Sequence, residues 1–121
     1  MSNKLKISIE NNTALITINN PPANTWDLES LGFLEETINN LNNNKEVFSL
    51  VITGEGEKFF SAGADLKVFH EGKKVAANDM GEAFAKAFST LSEFRGFSIA
   101  AINGFAMGGG LECALACDIR V

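Results

Sequence analysis

The chain has 121 residues, with 10 basic and 15 acidic side chains and a formal net charge of -5. That length holds one core and not two, and 45% hydrophobic with 21% charged residues excludes a disordered composition. The acidic balance offers no electrostatic footprint for nucleic acid and no polybasic patch for a membrane surface.

Leu5, Ile7 and Ile9 alternate with polar residues at the period of a half-buried strand. Asn11-Asn12 turns the chain, and Ala14 to Ile18 completes a hairpin. Pro21-Pro22 ends it, because proline cannot donate to a ladder. A helix starts near Thr25 or Asp27, both suitable caps, with Leu28, Leu31, Leu34, Ile38 and Leu41 as its apolar stripe. Asn42-Asn43-Asn44 ends it. Val47 to Thr53 reads as a strand covered on both faces. Phe59 to Phe69 gives no clear period, although Ser61-Ala62-Gly63-Ala64 looks like a strand-to-helix turn with a short helix from Asp65. Gly72 to Asn78 reads as a charged loop. A long helix is expected from about Asn78 to Phe94, burying Ala83, Phe84, Ala87, Phe88 and Leu91. Ser98 to Ile102 is a strand, Asn103-Gly104 a turn, and Gly108-Gly109-Gly110 leads into a helix from Leu111 to Cys117. Asp118 to Val121 is extended again. The order ββ, α, β, α, β, α, β predicts an α/β architecture in one domain, residues 1–121. Because the sequence stops inside an apolar strand, we expect an N-terminal part of something longer.

Met1 to Glu10 has no continuous apolar stretch of the signal-peptide kind, and no segment approaches a membrane span. Cys113 and Cys117, one helical turn apart, read as reduced buried thiols of a cytoplasmic protein. A metal site there would need two more ligands at sensible spacing, and none is visible, so no metal is predicted. The single histidine, His70, has no nucleophile near it in sequence and reads as a surface residue. The glycine runs fit neither a Walker loop nor a dinucleotide fingerprint.

Two strand-to-helix turns remain, Ser61 to Lys67 and Ala106 to Glu112. The first N–H groups of a helix lack internal partners and point ahead of it. Two such turns face to face would offer two main-chain donors to one oxygen, the geometry of an oxyanion hole. Glycine and alanine leave room for a substrate carbonyl. Glu112 has two readings that stay open: a first-turn charge favoured by the helix dipole, or an acid/base at the edge of an apolar helix.

At these residues the chain resembles the crotonase (enoyl-CoA hydratase/isomerase) superfamily. The anchors are Ser61-Ala62-Gly63-Ala64-Asp65-Leu66-Lys67 and the run from Ala101 through Asn103-Gly104-Phe105-Ala106-Met107-Gly108-Gly109-Gly110-Leu111-Glu112. Asn20-Pro21-Pro22-Ala23-Asn24 and Ala116-Cys117-Asp118 add weaker support. The resemblance implies a spiral of repeated ββα units, of which this chain is the N-terminal portion. It also implies a homo-oligomer, a trimer or a dimer of trimers, acting on an acyl-CoA thioester. No separate cofactor is implied, since coenzyme A is part of the substrate. The amides of Ala64 and Gly109 would hold the thioester oxygen. Glu112 would activate the water that adds to a trans-2-enoyl-CoA, with the second acid falling beyond Val121. Ala62, Ala64, Asp65, Leu66 and Lys67 would line the CoA site, with the Ala62 carbonyl at the adenine edge and Lys67 near the phosphates or pantetheine. Lys58, Lys73 and Lys74 are further candidate cations. Without the resemblance, the plainer readings are close packing for Gly108 to Gly110, a tight turn for Gly63, a helix cap for Asp65 and a solvated Lys67. Phe84, Phe88 and Leu91 read as core, and Trp26 and Phe69 as packing residues. The reaction expected is hydration. Isomerisation, thioester hydrolysis, decarboxylation and a non-catalytic CoA-binding or assembly fragment are the alternatives.

Overall fold

The computed structural model describes residues 3–67 and 74–121, with side chains from residue 77 onward in the helix that begins at Lys74. Strands β1 (Leu5–Glu10) and β2 (Thr13–Ile18) form an antiparallel hairpin, followed by helix α1 (Leu28–Asn42). Strands β3 (Ser49–Gly54) and β4 (Phe59–Ser61) precede helix α2 (Lys74–Ser92). Strands β5 (Phe97–Ala100) and β6 (Phe105–Ala106) precede helix α3 (Gly109–Ala116), and β7 (Ile119–Arg120) follows. The chain thus runs ββα, ββα, ββα, β. Strands β3, β5 and β7 add in parallel to the β1–β2 hairpin through β2, giving one sheet of order β1-β2-β3-β5-β7, while β4 and β6 pair in a second, two-stranded sheet. This is the α/β spiral of stacked ββα units that the resemblance implies.

Register explains the core. Ala14 pairs with Leu50 and Leu50 with Ser98, while Ile16 pairs with Ile52 and Ile52 with Ala100. All six are buried, and the five apolar ones join Leu31, Leu34 and Ile38 of α1 and Leu91 of α2 in one cluster. Alternate β3 residues are only half-buried, so this strand is covered fully on one face and partly on the other. That corrects the reading of two covered faces.

Asp27 caps α1. Its carboxylate accepts from Ser30 N–H at 2.8 Å, and Ser30 Oγ accepts from Asp27 N–H at 3.0 Å, the reciprocal capping box. Burial alone would raise the Asp27 pKa, but the Lys4 ammonium and the Ser30 donors outweigh it and lower it. Leu28, expected in the apolar stripe, is 47% exposed and stands outside the core that Leu31, Leu34, Ile38 and Leu41 join. At the other end of α1, the Arg95 guanidinium donates to the carbonyls of Leu41, Asn42, Asn44 and Val47. It satisfies acceptors that the helix terminus leaves open.

Two element readings change. Helix α2 begins at Lys74, so the part of the expected loop from Lys74 to Asn78 is helical. Its length of 19 residues lets the polar first turns ride on the packing of the rest. Strands β4 and β6, of three and two residues, were absent from the expected order. His70, Phe69 and Lys73 lie outside the described residues, as does most of the short helix expected from Asp65.

Candidate functional site

The site forms where the turn after β4 meets the turn after β6. The pairing of β4 with β6 sets Phe59 opposite Phe105 and Ser61 opposite Ala106, and Met107 N–H donates to Ser61 O at 3.0 Å. The two turns are in contact: a Cβ placed on Gly63 would lie 3.0 Å from both Gly109 N and Met107 O. Gly63 also sits at φ +101, a region that L side chains rarely enter. Both observations require glycine there.

Each turn leaves a main-chain donor without a main-chain partner among the described residues. Trp26 and Ala64 form a parallel bridge in which Trp26 N–H donates to Gly63 O at 2.7 Å and Asp65 N–H donates to Trp26 O at 2.8 Å. In a parallel bridge the opposed residue's own N–H and C=O point to the other side, so the Ala64 amide faces away from Trp26. Gly109 opens α3, where an amide has no partner inside the helix. Its cap, Gly108, supplies no side chain to that end.

Two hollows meet at these residues. One, of about 610 Å³, is lined by Ala64, Gly109 and Glu112 together with Phe84 and Phe88. The other, of about 700 Å³, is lined by Ala62, Ala64, Asp65, Leu66 and Lys67 on one side and by Gly108 and Gly109 on the other. Ala64 and Gly109 belong to both. Ala62, Ala64, Asp65, Leu66, Lys67, Gly109 and Glu112, singled out from sequence, therefore all border this pair of hollows. The prolines of the Asn20 to Asn24 loop wall the second hollow. That loop is fixed by Asn24, which is buried and donates to Glu55 O at 3.0 Å and Phe59 O at 2.9 Å. Ala62 N–H in turn donates to Ala23 O at 2.9 Å. Asn103 ties the base of the second turn to β3, accepting from Gly54 N–H at 3.0 Å and donating to Gly54 O at 2.8 Å.

Individual side chains divide as follows. Glu112 is exposed in the first turn of α3, with its main-chain N–H bonded to Gly108 O at 3.0 Å. Asp65 accepts from Lys67 N–H at 3.0 Å, the local bond of a capping residue, while it borders the second hollow. Leu66 is 74% exposed, a large apolar side chain open to a ligand. Lys58 lines a separate shallow hollow with Phe105 and lies over the Phe59 ring, so it is not gathered with Lys67. The Lys74 side chain lies outside the described residues. Trp26 is core, as expected.

Phe84 and Phe88 belong to the core as expected, Phe88 within it and Phe84 packed against it, and they have a second side. Phe88 is buried, but both border the hollow beside Gly109 and Glu112. Their helical spacing identified the inward face of α2; no spacing signal shows that this face opens onto a cleft. The glycine run also divides by position. A Cβ on Gly110 would lie 2.0 Å from Ser61 O, so Gly110 serves close packing of α3 on β4. A Cβ on Gly109 would lie 2.6 Å from Phe84 Cε1, inside the cleft.

Cys113 and Cys117 are free and buried beneath α3. Burial raises the Cys113 pKa well above the usual thiol value and, as the leading cause, lifts Cys117 to about 11. Both are thiols at neutral pH, not nucleophiles. Among the described residues, no group of three His, Cys, Asp or Glu side chains is placed to hold a metal ion. Among them, too, no helix is long and apolar enough to cross a membrane.

Against known proteins, the family model described as enoyl-CoA hydratase/isomerase matches residues 8–121. The short-chain-enoyl-CoA hydratase of Clostridium acetobutylicum is 38% identical over 120 residues, which is 98% of this chain and 46% of that protein. The solved structure of Pseudomonas aeruginosa DspI is 59% identical with a TM-score of 0.97, over 98% of this chain and 49% of that one. The crystal structure of human mitochondrial delta3-delta2-enoyl-CoA isomerase is 27% identical with a TM-score of 0.91, over 97% of this chain and 46% of that one. The chain thus spans about half the length of the curated relatives it matches. With the ββα spiral and the paired turns already in place, the match over residues 8–121 settles the family: this chain belongs to the enoyl-CoA hydratase/isomerase family of the crotonase superfamily.

Proposed function

We propose that the protein carrying this chain is an enoyl-CoA hydratase, adding water across a trans-2-enoyl-CoA to give a 3-hydroxyacyl-CoA. The observation that carries the reading is that Glu112 borders the same hollow as Ala64 and Gly109. A carboxylate and two main-chain donors around one cavity suit water addition beside a polarised carbonyl.

In this reading the thioester oxygen accepts from the Ala64 and Gly109 amides. Polarisation draws electron density from the β-carbon. The Glu112 carboxylate takes a proton as water oxygen bonds to that carbon, and the electron pair moves through the α-carbon to the thioester oxygen. The enolate so formed is held by the two amides, and its α-carbon takes a proton from a second acid, which the family resemblance puts after Val121. Coenzyme A would enter along Ala62 to Lys67, where the exposed Lys67 ammonium suits a phosphate and Leu66 the pantetheine. We infer a cytoplasmic homo-oligomer with no cofactor beyond the CoA of the substrate.

Isomerisation is the second reading, favoured by the likeness to a solved isomerase. It would reuse the two amides and move a proton without adding water. The test is Glu112→Gln in the full-length protein. Hydration should fall by about 10²–10⁴-fold with CoA-ester binding nearly intact. Turnover close to wild type would remove Glu112 from the chemistry, and formation of a 3-enoyl-CoA without a 3-hydroxyacyl-CoA would favour the isomerase.

A further inference from the structure

A row of three aromatic rings connects the two turns from behind. Trp26 is fully buried, and its ring meets Phe88 edge to face, with centroids 5.7 Å apart and planes at 76°. Phe88 meets Phe84 at 5.5 Å and 59°. Phe84 presents Cε1 to Gly109, 2.6 Å from where a Cβ would stand. At its other end the row is anchored by main chain, because Trp26 grips Gly63 and Asp65 on either side of Ala64. One residue thus holds the Ala64 turn directly and reaches the Gly109 turn through two rings.

We propose that Trp26 is a positioning residue that sets the separation and aim of the Ala64 and Gly109 amides through Phe88 and Phe84. This rests on the reading that those amides hold the thioester oxygen. Two donors serve one oxygen only within a narrow range of separation. The strand pairing of β4 with β6 brings the turns together and Gly110 seats α3 on Ser61, so the freedom left to α3 is a tilt about that seat. A rigid aromatic stack against Gly109 limits that tilt, since packed rings have few alternative arrangements. Trp26 has no exposed surface, so it acts without touching substrate. Its indole N–H has no hydrogen-bond partner among the described residues. Ring shape rather than a polar tether fixes it, and phenylalanine should replace it in part.

The test compares Trp26→Leu with Trp26→Phe in the full-length protein. As control we choose Leu41→Ala, a core truncation near the far end of α1, about 20 Å along the helix from Leu28. Two quantities are read: kcat and KM for an enoyl-CoA, and residual dipolar couplings of the Ala64 and Gly109 N–H vectors. Trp26→Leu should lower kcat by about 10- to 100-fold with KM changed by no more than about 3-fold, and should reorient the Gly109 vector. Trp26→Phe should recover most of the kcat. Leu41→Ala should lower Tm with kcat and both vectors unchanged. Should Trp26→Leu fail to fold, Phe88→Leu breaks the row at its middle and should reorient the same vector. Unmoved couplings overturn the proposal, as does an unchanged kcat in an active, folded Trp26→Leu. An equal kcat loss in Leu41→Ala also overturns it, since the effect would then be general softening. If the unaltered protein turns over no enoyl-CoA, the functional reading fails by itself, and the couplings still decide whether Trp26 orients Gly109.

Discussion

Gly109 and Gly110 are neighbours with opposite sensitivities. A methyl at Gly110 meets main chain, the Ser61 carbonyl, which cannot move without breaking the contact of α3 with β4. Gly110→Ala should therefore destabilise the fold by about 1–3 kcal/mol, read as a lower urea midpoint. A methyl at Gly109 meets a side chain rather than main chain, the edge of the Phe84 ring, which the added group would force out of its packed place. Gly109→Ala should keep most of the stability but lose turnover as the ring is driven into the cleft, and the further change Phe84→Leu should recover part of it. Equal stability losses in the two alanine variants would contradict this division. The sequence showed both glycines as one turn signal. Which of them packs and which lines a cleft depends on Ser61 and Phe84, which both come from the preceding unit of the spiral. Glu112 was legible as a charge opening an apolar helix, whereas the cleft role of Phe84 and Phe88 was hidden by their core-like spacing.

At the scale of elements, long periodic segments were readable and short or polar ones were not. The stripe Leu31, Leu34, Ile38 and Leu41 and the Asp27 cap gave α1 almost to the residue. Strands β4 and β6 are too short to show a period, and they exist because they pair with each other. The start of α2 is polar and resembles a loop until the rest of the helix supports it. Arg95 is an element-level feature that sequence alone does not show, since its four carbonyl partners lie around the end of α1. Arg95→Ala should cost about 1–3 kcal/mol in chemical denaturation, because carbonyls held by a charged donor lose it. Arg95→Lys should recover little, as one ammonium cannot match the planar fork. Full recovery by lysine would mean that charge alone suffices at that helix end.

For the whole molecule, three ββα units stack so that the first strands join one large sheet, which also takes β2 of the first unit, while β4 and β6 of the later units pair in the small sheet and the helices lie alongside. The α/β class followed from alternation of strands and helices, and the spiral from the family resemblance. The buried thiols connect this packing to pH. The Cys117 pKa is about 11 in the fold, above the usual thiol value, so the unfolded chain loses its proton first. Stability is then full below about pH 9 and falls as pH rises toward 11, by about 2–3 kcal/mol from this group. Cys117→Ala should flatten that alkaline loss in denaturation midpoints measured from pH 8 to 11. An unchanged slope would assign the loss to other groups.

In the proposed function, two main-chain amides, from Ala64 and Gly109, share one thioester oxygen. The most direct measurement is the vibrational spectrum of an enoyl-CoA labelled with carbon-13 at its thioester carbonyl, free and bound to the full-length protein. Binding should move the carbonyl stretch to lower frequency, as expected when two donors draw charge onto the oxygen. A bound ligand whose carbonyl stretch stays at its solution frequency would contradict the claim.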